Sequence, residues 1–147
     1  MPEPTTAATT ELARFPLAGV QDVLVARLVV REQSLRMGFP PQCVTQIATA
    51  VSEITRNVVQ HAEAFGQLRI AEIYEGGRRG LKVTVTDDGI GIPDVGAAMA
   101  GVAPGAGIPG SRRLMDQFAI DSARGKGTIV TMTKWLPSGC ADKNVSR

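Results

Sequence analysis

The chain has 147 residues, 44% of them apolar, 20% charged and only 4% aromatic. That is the size and balance of one globular domain, which excludes a wholly disordered or collagen-like chain. The formal net charge is +2, too little for the basic stripe that nucleic-acid binding needs. No apolar run reaches the length of a membrane span. The opening MPEPTTAATTE lacks the apolar core of a signal peptide, so a cytoplasmic protein is expected. Cys43 and Cys140, far apart and without metal spacing, allow one distant disulfide, but in that compartment they read as two free thiols.

Residues 1–11, rich in Pro, Thr and Ala, read as a flexible tail. Leu12, Phe15 and Leu17 suggest a short edge strand. Gln21 to Arg36 runs without Gly or Pro, with Val20, Val23, Leu24, Arg27, Leu28 and Arg31 at helical spacing. That pattern predicts an amphipathic helix ending before Gly38. Its apolar run Val23 to Val30 leaves two uses open: burial against a sheet, or a homodimer surface. A second helix is predicted from Pro41 to His61, with Val44, Ile47, Val51, Ile54 and Val58 as its buried stripe.

From Gln67 the period becomes two. Leu68, Ile70, Glu72 and Tyr74, a Gly76-Gly77 turn, then Leu81, Val83 and Val85 predict a hairpin-like pair of strands. Residues 87–110 are too broken by Gly and Pro for a sheet, with room for a short helix at Val95 to Ala100. A helix is expected over Ser111 to Phe118. A third, central strand is expected over Phe118 to Ala123, a turn at Gly125-Lys126-Gly127, and a fourth strand over Thr128 to Trp135. The last residues, 137–147, read as a second tail. Helices that precede and separate mostly antiparallel strands give a two-layer α/β sandwich with a mixed, mostly antiparallel sheet. Its threonine-rich strands suit a sheet covered by helices on one face only.

Four groups of residues carry chemistry. Glu53, Asn57 and His61 stand at i, i+4 and i+8 and share one side of the second helix. They are either a polar, solvent-facing side or a carboxylate and amide aimed into a cleft. In a cleft, Asn57 offers an oxygen suited to a hard cation and Glu53 a base for a nucleophile. Asp87-Asp88-Gly89-Ile90-Gly91 follows a strand. It is either a sharp Asx-capped loop or a place where the backbone lies flat against a ligand. There the Asp87 carboxylate can accept from an exocyclic amine and tell adenine from guanine. Its acidic spacing excludes an EF-hand loop. Gly105-Ala106-Gly107-Ile108-Pro109-Gly110 is a glycine-rich loop entering a helix, of neither the Walker nor the dinucleotide type. Pro109 lacks an N–H to give a phosphate. Arg112 and Arg113 either add positive charge or face solvent. Gly125-Lys126-Gly127-Thr128 is a hairpin turn whose threonine reaches a base pocket only if its strand neighbours the one ending in Asp87.

In their order, these four elements resemble the GHKL (Bergerat-fold) ATP-binding superfamily, over about residues 12–136. Glu53 to Asn57 is similar to its N box, Asp87 to Gly91 to the first glycine box, Gly105 to Gly110 to the second, and Gly127-Thr128 to the closing Gly-Thr. A single module of this kind resembles the small bacterial switch kinases of the RsbT and RsbW kind. The wording Pro109 to Phe118, Ile120-Asp121-Ser122, Gly127-Thr128 and Lys134-Trp135 is more similar to RsbT.

The resemblance implies ATP and Mg2+ as cofactors. Asn57 would hold Mg2+ against the phosphates. Asp87 would read the adenine amine, helped through water by Thr128. Gly89 and Gly91 would shape the base pocket, Gly105, Gly107 and Gly110 would form the lid and phosphate loop, and Glu53 would be the catalytic group. It implies a protein serine/threonine kinase acting on a STAS-domain anti-sigma antagonist or stressosome scaffold, with a sigma factor or phosphatase as further partners. Two other readings stand beside it: a nucleotide-dependent binding module that sequesters a regulator, and a nucleotide-free adaptor.

Overall fold

The computed structural model describes residues 7–61, 65–89, 108–123 and 125–136. Five strands, β1 (Ala8–Leu17), β2 (Gly66–Glu75), β3 (Arg78–Asp87), β4 (Gln117–Ala123) and β5 (Gly127–Leu136), form one sheet. Its order is β1-β2-β3-β5-β4, and every pairing is antiparallel. Among the described residues three helices accompany it: α1 (Val20–Met37), α2 (Pro41–His61) and α3 (Ile108–Leu114).

The core lies between α2 and one face of the sheet. On α2, Val44, Ile47, Val51, Ile54 and Val58 are all buried, as their spacing predicts. Facing them are Leu68 and Ile70 of β2, Leu81, Val83 and Val85 of β3, and Val130 and Met132 of β5. Each such side chain contributes about 1.5–3 kcal/mol by leaving water. The two long helices carry three buried hydroxyls, none of them unpaired. Ser52 Oγ donates to the Ala48 carbonyl at 2.8 Å and Thr55 Oγ1 to the Val51 carbonyl at 2.8 Å. On α1, Ser34 Oγ donates to the Val30 carbonyl at 2.7 Å. Such back-bonding satisfies the side chain at some cost to helix regularity.

Helix α1 buries a different stripe from the one its spacing suggests. Ala26, Val30, Ser34 and Met37 face inward, whereas Val20, Leu24 and Leu28 are exposed. The helix offers two apolar stripes, and the small side chains of Ala26 and Ser34 allow the closer approach. Its ends are well defined. Asp22 Oδ2 accepts from the N–H groups of Ala18 and Gly19 at 2.7 and 3.0 Å, and Gly38, at φ 96°, turns the chain out. That positive φ is a conformation only glycine adopts cheaply.

Four further expectations need correction. Strand β1 begins at Ala8, inside the stretch 1–11 read as a tail, because Thr9 and Thr10 are β-branched and pair with Ile73 and Glu72. The third helix starts at Ile108 and stops at Leu114, and Gln117 and Phe118 already belong to β4. The chain switches there because Asp116 is tied twice to β5: its N–H donates to the Thr133 carbonyl and its Oδ2 accepts from the Trp135 N–H. Strand β4 is an edge strand, and β5 takes the central place. Cys43 is disulfide-bonded and fully buried, so its thiol is not free. The two-thiol reading rested on compartment, which says nothing about proximity in the fold. Cys140, the Val95–Ala100 helix and the tail 137–147 lie outside the described residues.

Two contacts join the layers. Lys134 is buried on the helix side of β5. Its ammonium donates to Gln46 Oε1 on α2 at 3.0 Å and to the Leu114 carbonyl at the end of α3. A buried ammonium is tolerable only with such partners. On the open sheet face Trp135 lies over Gly80, its partner across β3 and β5, with the Arg78 guanidinium 4.0 Å from the ring centre. A Cβ at Gly80 would sit 2.7 Å from the Trp135 ring and 3.0 Å from the Lys134 carbonyl. Gly80→Ala is therefore expected to cost about 1–3 kcal/mol, read as a lowered denaturation midpoint at unchanged slope.

Candidate functional site

The last row of the sheet on its helix-covered side organises the site. Strand pairing sets Leu17, Gly66, Asp87, Thr128 and Ser122 side by side across β1, β2, β3, β5 and β4. Directly opposed residues point to the same face. The row begins apolar, with Leu17 buried, and ends in three polar side chains. Gly66 leaves a gap that Val58 of α2 fills: a Cβ there would lie 2.6 Å from Val58 Cγ1 and 3.1 Å from the Thr86 carbonyl. This contact sets the C-terminal half of α2, one residue beyond Asn57, over the strand next to Asp87.

β5 does neighbour β3, and Thr128 pairs with Asp87. Gly127 is held at φ 81°, and a Cβ on it would stand 2.1 Å from the Asp87 carbonyl. The turn glycine is thus required by backbone contact with the residue beside it. Asp87 Oδ1 accepts from the Gly89 N–H at 2.9 Å, and the Thr128 N–H also donates to this carboxylate. Asp88 instead locks the loop: its Oδ1 accepts from the Phe65 N–H at 3.1 Å and its own N–H donates to the Phe65 carbonyl.

Glu53 and Asn57 lie part-exposed on α2. Arg56 donates to Glu53 Oε2 at 3.1 Å along the helix, a partner the spacing argument missed although an i,i+3 pair is legible in sequence. Both side chains of this pair are about two fifths exposed, so it contributes at most about 1 kcal/mol and exchanges readily. Ser111, buried on α3, donates to the Ala50 carbonyl at 3.2 Å, docking α3 one turn before Glu53. Pro109 falls in the first turn of α3, where its missing N–H would have had no helical partner. Gly110 is helical rather than part of a loop, and no atom crowds it. Arg112 and Arg113 are exposed. Gly91, Gly105 and Gly107 lie outside the described residues, as does the side chain of His61. Ser122, to which sequence reasoning attached no role, bonds directly to Thr128, with 2.8 Å between their hydroxyl oxygens.

A depression of about 690 Å³ lies on the open sheet face around Lys82, Thr131 and Thr133. The sheet separates it from Asp87, Glu53 and Asn57, so it is not part of this site. Among the described residues no three His, Cys, Asp or Glu side chains cluster to hold a metal ion, and no helix is long and apolar enough to cross a membrane.

An antiparallel sheet covered on one side by helices, with an acidic turn closing its central strand beside a Gly-Thr pair, defines an α/β sandwich of the Bergerat type. Residues 18–134 match the family of histidine kinase-like ATPase domains, and the chain belongs to that family. The serine/threonine-protein kinase RsbT of Bacillus subtilis (strain 168) is 38% identical over 120 residues, covering 78% of this chain and 90% of that protein. An anti-sigma F factor of Thermoanaerobacter sp. (strain X514) is 30% identical over 132 residues, covering 83% and 91%. The RsbU and RsbW domains of a Mycobacterium tuberculosis protein share the fold at a TM-score of 0.55 and 21% identity, over 93% of this chain and 34% of that solved chain. This chain is a kinase-like domain related to these regulators.

Two outcomes follow from the row. Burial pushes the Asp87 carboxyl above its ordinary 3.8, with the Gly89 N–H opposing, the Asp88 charge adding and the Thr128 N–H opposing. The folded state therefore binds this proton more tightly than the unfolded chain. The group's contribution to stability falls as pH rises from 3.8 through the raised folded value and is level above it. A carboxyl-detected NMR titration should give Asp87 a midpoint above 3.8. Gly127→Ala should destabilise the fold by more than the about 1–2 kcal/mol of a left-handed backbone alone, read in a melting curve against Gly125→Ala, which meets no neighbour.

Proposed function

We propose that the protein is an ATP- and Mg2+-dependent serine/threonine kinase that phosphorylates a small STAS-type partner and so switches a stress or sigma-factor pathway. The observation that carries this reading is the Asp87–Thr128 pair at the end of the central strands, with Asn57 and Glu53 on the helix packed over the neighbouring strand. The residues present suit a nucleotide. Asp87 is a half-buried acceptor with its own N–H partners, and Gly66 and Gly127 keep side chains out of the row.

Asp87 accepts from the amino edge of adenine, and Thr128 flanks it. Asn57 would offer its amide oxygen to Mg2+, an ion rarely caged by protein alone and commonly held by one or two protein groups together with substrate phosphates and water. Bound Mg2+ supplies neutralisation of the phosphate charge. Glu53 accepts the proton of the incoming serine or threonine hydroxyl as that oxygen bonds to the γ-phosphorus and ADP departs. Positioning and charge neutralisation do most of the work in such a transfer, which is why so few side chains suffice. Gly89 would line the base with Gly91, and Gly110 would meet the phosphates from the first turn of α3 rather than from a loop, with Gly105 and Gly107 keeping the phosphate role that the resemblance implies.

The test is incubation with γ-labelled ATP, Mg2+ and STAS-domain proteins from the same genome. Label should appear on a partner serine or threonine. Glu53→Ala should keep nucleotide binding and lose about 10²-fold or more in transfer, whereas Asn57→Ala should lose Mg2+-dependent affinity. Nucleotide-dependent partner binding without labelled product would replace the kinase reading with a sequestering module.

A further inference from the structure

The Glu53 carboxylate is held at one of its two oxygens. Arg56 Nη1 donates to Glu53 Oε2 at 3.1 Å, and among the described residues neither side chain makes another hydrogen bond or ion pair. Glu53 Oε1 therefore keeps its lone pairs for an incoming group. An α-helix turns about 100° per residue, so Asn57 stands about 40° to one side of Glu53 around α2 and Arg56 about 60° to the other. The Asn57 side leads round to Val58, which packs onto Gly66 next to Asp87. Arg56 thus grips the carboxylate from the side away from Asn57. A glutamate on a helix surface, left unheld, spreads over several rotamers.

We propose that Arg56 is a positioning residue for phosphoryl transfer: by holding Oε2 on the side away from Asn57, it keeps Oε1 turned to the acceptor hydroxyl. The inference rests on the kinase reading of the site and gives a task to a residue between Glu53 and Asn57 to which none was attached. In the step itself Oε1 receives the hydroxyl proton, the hydroxyl oxygen bonds to the γ-phosphorus, and the bond to the ADP oxygen breaks with its electron pair leaving on ADP. The guanidinium stays protonated throughout and exchanges no proton.

The experiment measures transfer from γ-labelled Mg-ATP to the STAS-domain protein that the wild type labels, at saturating ATP and varied partner, with ATP affinity read separately by calorimetry. Arg56→Ala should fold, because the side chain is part-exposed and alanine is the best helix former; a cooperative melt checks this. Its kcat should fall about two- to fivefold, the population factor of an exposed ion pair, with ATP affinity and the partner's KM unchanged. Arg56→Lys, which can still reach one carboxylate oxygen, should recover most of the rate. In a Glu53→Ala background, Arg56→Ala should cost nothing further, since there is no carboxylate left to hold. An unchanged kcat, an equal loss with and without Glu53, or a loss confined to the partner's KM would each overturn the proposal. A wild type that binds ATP but labels no partner would instead sink the kinase reading, and the role of Arg56 with it.

Discussion

The contact on which the rest of this structure depends is the one Gly66 permits. Without a side chain there, Val58 descends onto the first residue of β2, and α2 crosses the sheet at the end where β3 finishes in Asp87. A longer residue would lift the helix away from the strand pair and carry Asn57 and Glu53 with it. Glycine is otherwise a poor strand residue, entropically costly and with nothing to pack. Its presence at a strand start is explained by what packs over it.

The same economy operates at the other end of the row. Gly127 brings β5 against the Asp87 backbone more closely than any side chain would allow, so Thr128 arrives beside Asp87 in register. Two glycines on different strands thus set the two approaches that build one site: helix to sheet, and strand to strand. The remaining joints are polar. Lys134 links β5 to α2 and α3, Ser111 links α3 to α2, and Asp116 fastens the α3–β4 link to β5. Lys134 and Ser111 are themselves buried, and a buried donor left unpaired is expensive. These bonds therefore specify the relative placement of the elements more than they add net stability.

Function follows from this placement. The row Asp87–Thr128–Ser122 is a set of acceptors and shared protons at a sheet end, flanked by the helix carrying Asn57 and Glu53. Each group alone has an ordinary structural explanation: an Asx turn, a β-branched strand residue, a helix-surface ion pair. Their convergence, together with the family to which residues 18–134 belong, is what supports the proposed nucleotide site. The open face of the sheet, with its threonines and the Trp135–Gly80 stack, takes no part in it.

What the sequence by itself determined was local and periodic. The α2 stripe, the β2–β3 hairpin with its Gly76–Gly77 turn, the β5 alternation that set Lys134 with Val130 and Met132, and the order of the four boxes were all legible, because period and turn chemistry are properties of neighbouring residues. The tertiary structure decided what depends on distant partners. It chose Ala26 and Val30 over Leu24 and Leu28 as the inner face of α1, moved β4 to the edge, ended α3 at Leu114, paired Cys43 and aligned Ser122 with Thr128. In each case the local sequence left the outcome open, and a partner distant in the chain decided it, which is information no window of contiguous sequence contains.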